Sequence, residues 1–203
     1  MTDIDRRHAI TLLAATPVAV LTLSRAELDR AAQHARRALE RLASRGEAYA
    51  PKFFTAHEWR TVRMLSDLVI PRDRRSGSAT DAGVPEFMDF IMTEYPASQK
   101  NMRDGLAWLD SECQRRHANT FVASTLKERT LVLDDIAWPR RARPEMKDGV
   151  TFFNSFRDLT ASGFWSSRMG VKDLQYMGNT AIAEWKGCPP SALRKLGVSY
   201  RTK

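Results

Sequence analysis

The side chains most often used for proton transfer or metal binding are scattered along this sequence. The four histidines are His8, His34, His57 and His117. None lies in an HExxH or comparable metal-ligand spacing, so we predict a structural or solvated role for each. The adjacent Asp134 and Asp135 resemble a carboxylate pair, but neighbouring helical residues point in different directions. We therefore expect these two carboxylates to be solvated rather than to share a site.

Motifs that would hold a substrate or a nucleotide are also missing from the sequence. It contains no GxSxG nucleophile elbow, no P-loop and no GxGxxG motif after a strand. We therefore do not expect this chain alone to bind a flavin. We assign no catalytic, cofactor-binding or metal-binding residue.

The two cysteines, Cys113 and Cys188, lie outside any CxxC pattern, which argues against a structural zinc site or an iron–sulfur cluster. Two alternatives remain for them. In an oxidising compartment they would form a disulfide, and closing a loop of that length contributes about 4 kcal/mol. Otherwise they are two buried free thiols that fill space.

The charge balance favours acidic partners. Lysine and arginine total 32 against 24 aspartate and glutamate residues, giving a net charge of +8. Most such excesses are a solvated basic surface. The sequence has no recognition helix, zinc-finger spacing or RNA-binding motif, so we expect no nucleic-acid partner.

The N-terminus has the pattern of an export signal. Arg6 and Arg7 precede Ala9–Leu23, an uncharged and mostly apolar run of 15 residues. That run is short for a membrane span but suits a secretory signal, and the paired arginines indicate the twin-arginine route. We predict a signal segment over 1–26, either cleaved after Ala26 or retained as an anchor. The alternative is a buried helix interrupted at Pro17.

The elements after this segment are predicted to be helical. Residues 27–49 form a basic helical connector with an apolar stripe and a stop at Gly46, lying either on a partner or in solvent. The stripe consists of Leu28, Ala32, Ala35, Leu39 and Leu42. Residues 50–203 form the main domain.

Helical spacing and capping residues predict the helices of the main domain. Thr55 and Glu58 form a capping box before a helix that ends at Pro71. Further helices are predicted from Pro85, from a cap at Ser98, over 125–138, and over 150–163 with Gly163 closing the last. No run of alternating strands occurs. We predict an irregular all-α domain with an N-terminal helical extension and a loop-rich C-terminal tail.

The C-terminal residues are more specific than any helix pattern. The stretch Phe164–Thr180 runs into Ile182–Pro189 with irregular Gly, Asn, Trp and Cys positions. It resembles the closing signature of gluconate 2-dehydrogenase subunit 3. Phe54–Pro71, Asp81–Pro85 and Phe152–Gly163 look like the same family in the same order. The resemblance covers residues 53 to 198.

The resemblance implies an accessory subunit of an exported dehydrogenase that oxidises a sugar, sugar acid or glycoside. The partner would be a large flavoprotein of the glucose-methanol-choline type that contains FAD and performs catalysis, sometimes with a cytochrome c subunit. The complex would be periplasmic, with membrane association through the N-terminus or the complex. A twin-arginine signal here would also export the larger subunit. The alternatives are an export chaperone that leaves after translocation and an autonomous enzyme with dispersed residues.

Three aromatic residues in the signature, Trp165, Tyr176 and Trp185, are the candidate partner interface. The alternative is ordinary packing under an irregular tail. Gly170, Gly178 and Gly187 permit tight turns that would either expose these rings or turn them inward.

Overall fold

The protein is all-α over the residues described by its computed structural model, which are 24–176, 184 and 187–200. This confirms the predicted fold class. The helices are α1 (Arg25–Arg45), α2 (Ala56–Val69), α3 (Val84–Glu94), α4 (Gln99–His117), α5 (Leu126–Ala137), α6 (Lys147–Ser166), α7 (Arg168–Asp173) and α8 (Pro190–Leu196). Short 3₁₀ turns at Pro96–Ser98 and Pro144–Met146 lead into α4 and α6.

Helix α6 is the centre of the fold. It contacts all five preceding helices and α7. Its buried face is rich in large apolar side chains, and burial of such rings is the main favourable term in folding. These side chains are Phe152, Phe153, Phe156, Leu159 and Phe164.

Two helices begin at reciprocal capping boxes. The Thr55 hydroxyl accepts a hydrogen bond from the Glu58 N–H at the start of α2, and the Glu58 carboxylate accepts one from the Thr55 N–H at 2.8 Å. This confirms the predicted start of α2. Thr125 and Glu128 repeat the arrangement at α5. The second box satisfies two orphan amides and explains why the predicted helix starts there.

One predicted helix boundary and one predicted side-chain cap are wrong, each for a local reason. Gly163 does not close its helix but lies inside α6, where a Cβ would stand 2.9 Å from the Phe87 ring. This glycine serves the close approach of α3 and α6. Ser98 makes no side-chain cap for α4, because it already has helical backbone angles at the end of a 3₁₀ turn.

Helix α1 belongs to the same core as the rest of the body. It packs against α3 and α6, and Ala31, Ala32 and Ala35 are part of the hydrophobic core. This differs from the solvated or partner-facing helix that its arginine content favours. Alanines form a narrow stripe that lets the backbone of α1 approach its neighbours while the arginines project away. Gly46, with φ +66°, follows the last turn as predicted.

Asp89 ties the loop before α2 to α3. Its fully buried carboxylate accepts hydrogen bonds from the Tyr49 hydroxyl at 2.9 Å and the Lys52 N–H at 2.8 Å. The N–H groups of Phe53 and Phe54 donate to its other oxygen at 2.9 and 3.3 Å. Burial, helped by the Asp89 charge, raises the pKa of Tyr49, so its phenol stays a donor. A buried carboxylate is tolerated here because a phenol and three backbone N–H groups donate hydrogen bonds to it.

We predict that Asp89→Asn destabilises the protein by about 2–4 kcal/mol, because an amide nitrogen would replace an oxygen that accepts buried hydrogen bonds. Urea unfolding followed by circular dichroism measures the change. Asp134→Asn, at an exposed position on α5, is the control and should change stability by less than about 0.5 kcal/mol. Equal stability of the two variants would contradict the assigned role of Asp89.

A charged network joins α4 to α5. Glu112 is buried and accepts hydrogen bonds from Arg115 at 2.7 and 2.9 Å and from Arg116 at 2.5 Å. Arg116 also donates to Asp135 at 2.7 Å, and Arg143 lies 3.6 Å from the same carboxylate. The hydrogen bond from Arg115, opposed by burial and supported by Arg116, lowers the pKa of Glu112 to about 2. Asp135 is therefore part of an ion-pair network rather than simply solvated.

The depressed pKa makes a pH-dependent prediction. Because the folded pKa of Glu112 is about 2 and its ordinary value is 4.5, its stabilisation is complete above pH 4.5 and is lost as the pH falls towards 2. Glu112→Gln should cost about 1–3 kcal/mol at pH 7, and the difference from the wild type should shrink over that acid range. Denaturant unfolding of the wild type and the variant from pH 7 to pH 2.5 measures the cost at pH 7 and its decrease in acid. A difference independent of pH would refute the assignment, and the exposed Glu47→Gln variant is the control.

Candidate partner interface

The predicted interface residues within the described part of the chain are exposed. Trp165 ends α6 with 39% of its surface accessible, and Tyr176 follows α7 with 50% accessible. Both rings are therefore available as a contact surface, and their role at a partner interface stays a prediction. Trp185 lies outside the described residues, as do Arg6 and Arg7 of the predicted export motif.

Two further exposed apolar residues accompany these aromatics. Val171 and Leu174 are 38% and 57% accessible. We call Trp165, Val171, Leu174 and Tyr176 the C-terminal surface. Sequence reasoning overlooked the two aliphatic members, although their spacing of three residues is typical of one face of a short helix.

A tight turn between α6 and α7 positions the C-terminal surface. The Ser167 hydroxyl donates to the Phe164 carbonyl at 2.7 Å and accepts from the Gly170 N–H at 3.0 Å, capping α7. A Cβ at Gly170 would overlap the Phe164 carbonyl. Glycine is required at this position because the two backbones touch, and its role is close approach rather than a positive φ.

Ion pairs fasten α7 to the rest of the molecule. Arg75, in the loop after α2, donates to the Asp173 backbone carbonyl at 2.5 Å, and its Nε lies 3.3 Å from the Asp173 carboxylate. Arg168 lies 3.3 Å from Glu40 of α1. The two Arg75 contacts link the C-terminal surface to the loop after α2, while the largely exposed Arg168–Glu40 pair contributes little.

The Asp81–Pro85 turn supports the loop that contains Arg75. The Asp81 carboxylate accepts hydrogen bonds from the Ser78 N–H at 2.7 Å, from the Ser78 hydroxyl at 3.1 Å and from Arg72 at 2.6 Å. The bond from the Ser78 N–H makes the largest contribution to lowering the pKa of Asp81. Gly83 has φ +81°, and a Cβ there would also meet Leu39 of α1 at 2.6 Å. This turn therefore fixes α3 against α1.

Basic side chains border the C-terminal surface. Arg36 of α1 joins Arg168 and Lys172 of α7 around a shallow depression of about 510 Å³ that also contacts Val171 and Tyr176. Apolar side chains ringed by cations suit a partner surface with apolar pockets and acidic groups at the rim.

The histidines have structural surroundings wherever the structure describes them. His57 Nε2 lies 2.5 Å from the Asp110 carboxylate, which links α2 to α4 and also accepts from the Phe121 N–H. His34 stacks on Phe90 with ring centroids 4.1 Å apart. Over residues 24–176, 184 and 187–200, no group of three or more His, Cys, Asp or Glu side chains could hold a metal ion. In the same ranges, no helix is long and apolar enough to cross a bilayer.

The family model for gluconate 2-dehydrogenase subunit 3 matches residues 56–186. The chain belongs to this family. Neither the curated proteins nor the solved structures give a match. Membership makes the chain an accessory subunit of a multisubunit dehydrogenase complex with a larger catalytic partner.

The match includes the whole C-terminal surface, Trp185 and the Asp81–Pro85 turn. It begins after α1 and ends before Cys188. The signature that carried the resemblance in the sequence therefore contains, in its described part, the exposed residues of the C-terminal surface.

Both cysteines are free thiols in the structure, so the disulfide we considered is not formed in it. Cys113 is fully buried on α4, and this burial raises its thiol pKa. Cys188 is half-buried beside Tyr200, whose hydroxyl accepts from the Cys188 N–H at 2.6 Å.

We predict that a thiol reagent such as Ellman's reagent modifies Cys188 in the folded protein and leaves Cys113 unmodified until the chain is unfolded. Cys113 is buried, and burial disfavours the thiolate, which is the reactive form of a cysteine. Cys188 is partly exposed. Absorbance counts the modified thiols, and Cys188→Ser should abolish the rapid reaction. If neither cysteine reacts even in the unfolded protein until a reductant is added, the disulfide is established instead.

Proposed function

We propose that the protein is a noncatalytic small subunit that binds, stabilises and helps to export an FAD-containing catalytic subunit. The complex would oxidise a hydroxyl of a sugar, sugar acid or glycoside. The observation that carries the proposal is the exposure of Trp165, Val171, Leu174 and Tyr176 within the region that matches the subunit 3 family.

The physical case for binding is the cost of leaving these side chains in water. Burying apolar surface is favourable, and aromatic anchors dominate many protein interfaces. The turn at Ser167 and the ion pair of Arg75 with Asp173 hold the C-terminal surface in one arrangement. A preorganised surface loses less conformational entropy when a partner binds.

The surroundings of the ionisable groups support placing catalysis and FAD in the larger subunit. Asp89 holds backbone amides, His57 pairs with Asp110, and Glu112 binds two arginines. The first contact ties a loop to α3, the second joins α2 to α4, and the third lies within α4, so each of these three groups serves the fold.

Export and location extend the same proposal. The signal predicted over 1–26 would take a folded, flavin-loaded complex through the twin-arginine route into the periplasm. A cytochrome c subunit would then accept electrons, with membrane association through the N-terminus or the complex. A dedicated export chaperone would share the first step but leave the mature enzyme.

We predict that the larger flavoprotein is soluble, flavin-loaded and active only when it is expressed with this chain. Partner solubility, flavin absorbance and dye-linked sugar oxidation measure the three properties. Trp165→Ala should weaken co-purification by at least about tenfold, as expected for an aromatic anchor. Trp138→Ala is the matched control, because Trp138 is 61% exposed but lies at the end of α5.

Each outcome of this experiment has a distinct meaning. A flavoprotein that is equally stable and active alone would refute the accessory role. Loss of the chain from mature, active enzyme would favour the export chaperone. If Trp165→Ala and Trp138→Ala weaken co-purification equally, the C-terminal surface is not the specific contact.

A further inference from the structure

A groove of about 530 Å³ runs between α4 and α6 and reaches the first turn of α1. Its apolar lining consists of Leu28, Met92, Met102, Trp108, Phe152, Phe156 and Leu159. Its polar lining consists of Ser98, Asn101, Asp104, Asp148, Thr151, Ser155, Asp158 and Ser162, with Gly105 between them. A volume of this size accommodates several apolar side chains of a bound segment.

The floor of the groove is built by two reciprocal glycine–aromatic contacts. A Cβ at Gly105 of α4 would overlap the ring of Phe152, and one at Gly149 of α6 would overlap the ring of Trp108. Each helix thus places an aromatic ring on the bare backbone of the other. The aromatic rings are locked by packing, so the groove exists before anything binds.

The groove and the C-terminal surface lie along one face of α6. The lining residues of α6 recur at helical spacing from Asp148 to Ser162, and Trp165 follows Ser162 by three positions. At 1.5 Å per residue this face is about 25 Å long. Trp165, one residue of the surface that we assign to the larger subunit, therefore lies about one turn beyond the end of the groove.

The charge of the groove is opposite to that of the C-terminal surface. Asp104, Asp148 and Asp158 line it, and none of its lining residues is basic. Lys100 pairs with Asp104 at 2.5 Å and Arg157 with Asp158 at 3.2 Å. Both pairs are largely exposed and contribute little, so an incoming cation can compete for these carboxylates.

We propose that this groove binds an apolar segment of the larger catalytic subunit that carries a lysine or arginine. The inference rests on the proposed function and adds a second contact to it. An acidic groove at one end of the face and basic residues at the other would set the orientation of the partner.

Filling the groove tests the proposal. Ser155 is half-buried in the middle of the lining, and Ser155→Trp should weaken co-purification of the larger subunit by at least about tenfold by occupying its space. Ser44→Trp, at an exposed position on α1, is the matched control and should bind like the wild type. Circular dichroism and thermal unfolding must match for the two variants.

The bound segment is identified by a photo-crosslinking side chain at exposed Thr151 in the full complex. We expect a crosslink to an apolar stretch of the larger subunit with a lysine or arginine. Asp148→Lys should reduce this crosslink and weaken binding about tenfold, because it reverses a charge in the groove. A crosslink to residues 1–23 of the same chain, to a second copy, or to nothing in an assembled complex would overturn the proposal.

The two proposals fail in different ways. If the wild-type chain does not co-purify with the flavoprotein, the accessory function itself is refuted together with the groove assignment. If the wild type binds and Ser155→Trp binds equally well, only the groove assignment is refuted. If Ser155→Trp unfolds, the Thr151 crosslink and Asp148→Lys decide the question.

Discussion

The close approach of α4 and α6 is the constraint on which the rest of the structure depends. It is possible because Gly105 and Gly149 have no side chain where Phe152 and Trp108 must lie. Helix α6 can then contact all the preceding helices at once, so its aromatic face is buried from several directions. The same contact forms the floor of the groove between α4 and α6, so helix packing and the groove have one origin.

Buried polar groups determine how the irregular segments attach to this helical centre. Asp89 accepts hydrogen bonds from the loop before α2, and Glu112 of α4 holds Arg116, which reaches Asp135 of α5. Both carboxylates face several donors, which is the condition under which burial of a charge is tolerated. Their roles are structural, because the groups that they bind are backbone amides, a phenol and arginines of the same fold.

The described part of the family signature carries four exposed apolar side chains, Trp165, Val171, Leu174 and Tyr176. Gly170 and Ser167 make the sharp turn after α6, and Arg75 holds the short α7 in place. The outcome is an apolar surface supported by contacts to the first half of the chain. If the proposed contact with the larger subunit forms here, this arrangement increases its affinity, because little ordering is left to occur on binding.

The sequence by itself determined the helical class, the start of α2 and the family, because capping boxes, prolines and irregular Gly and Trp positions act locally. It also identified Trp165 and Tyr176, but it could not decide whether they faced solvent. Only the tertiary structure decided that, and only it revealed that Gly163 is a packing position and that α4 and α6 enclose a groove. The physical reason is that burial and close approach depend on which residues meet across helices that are distant in sequence.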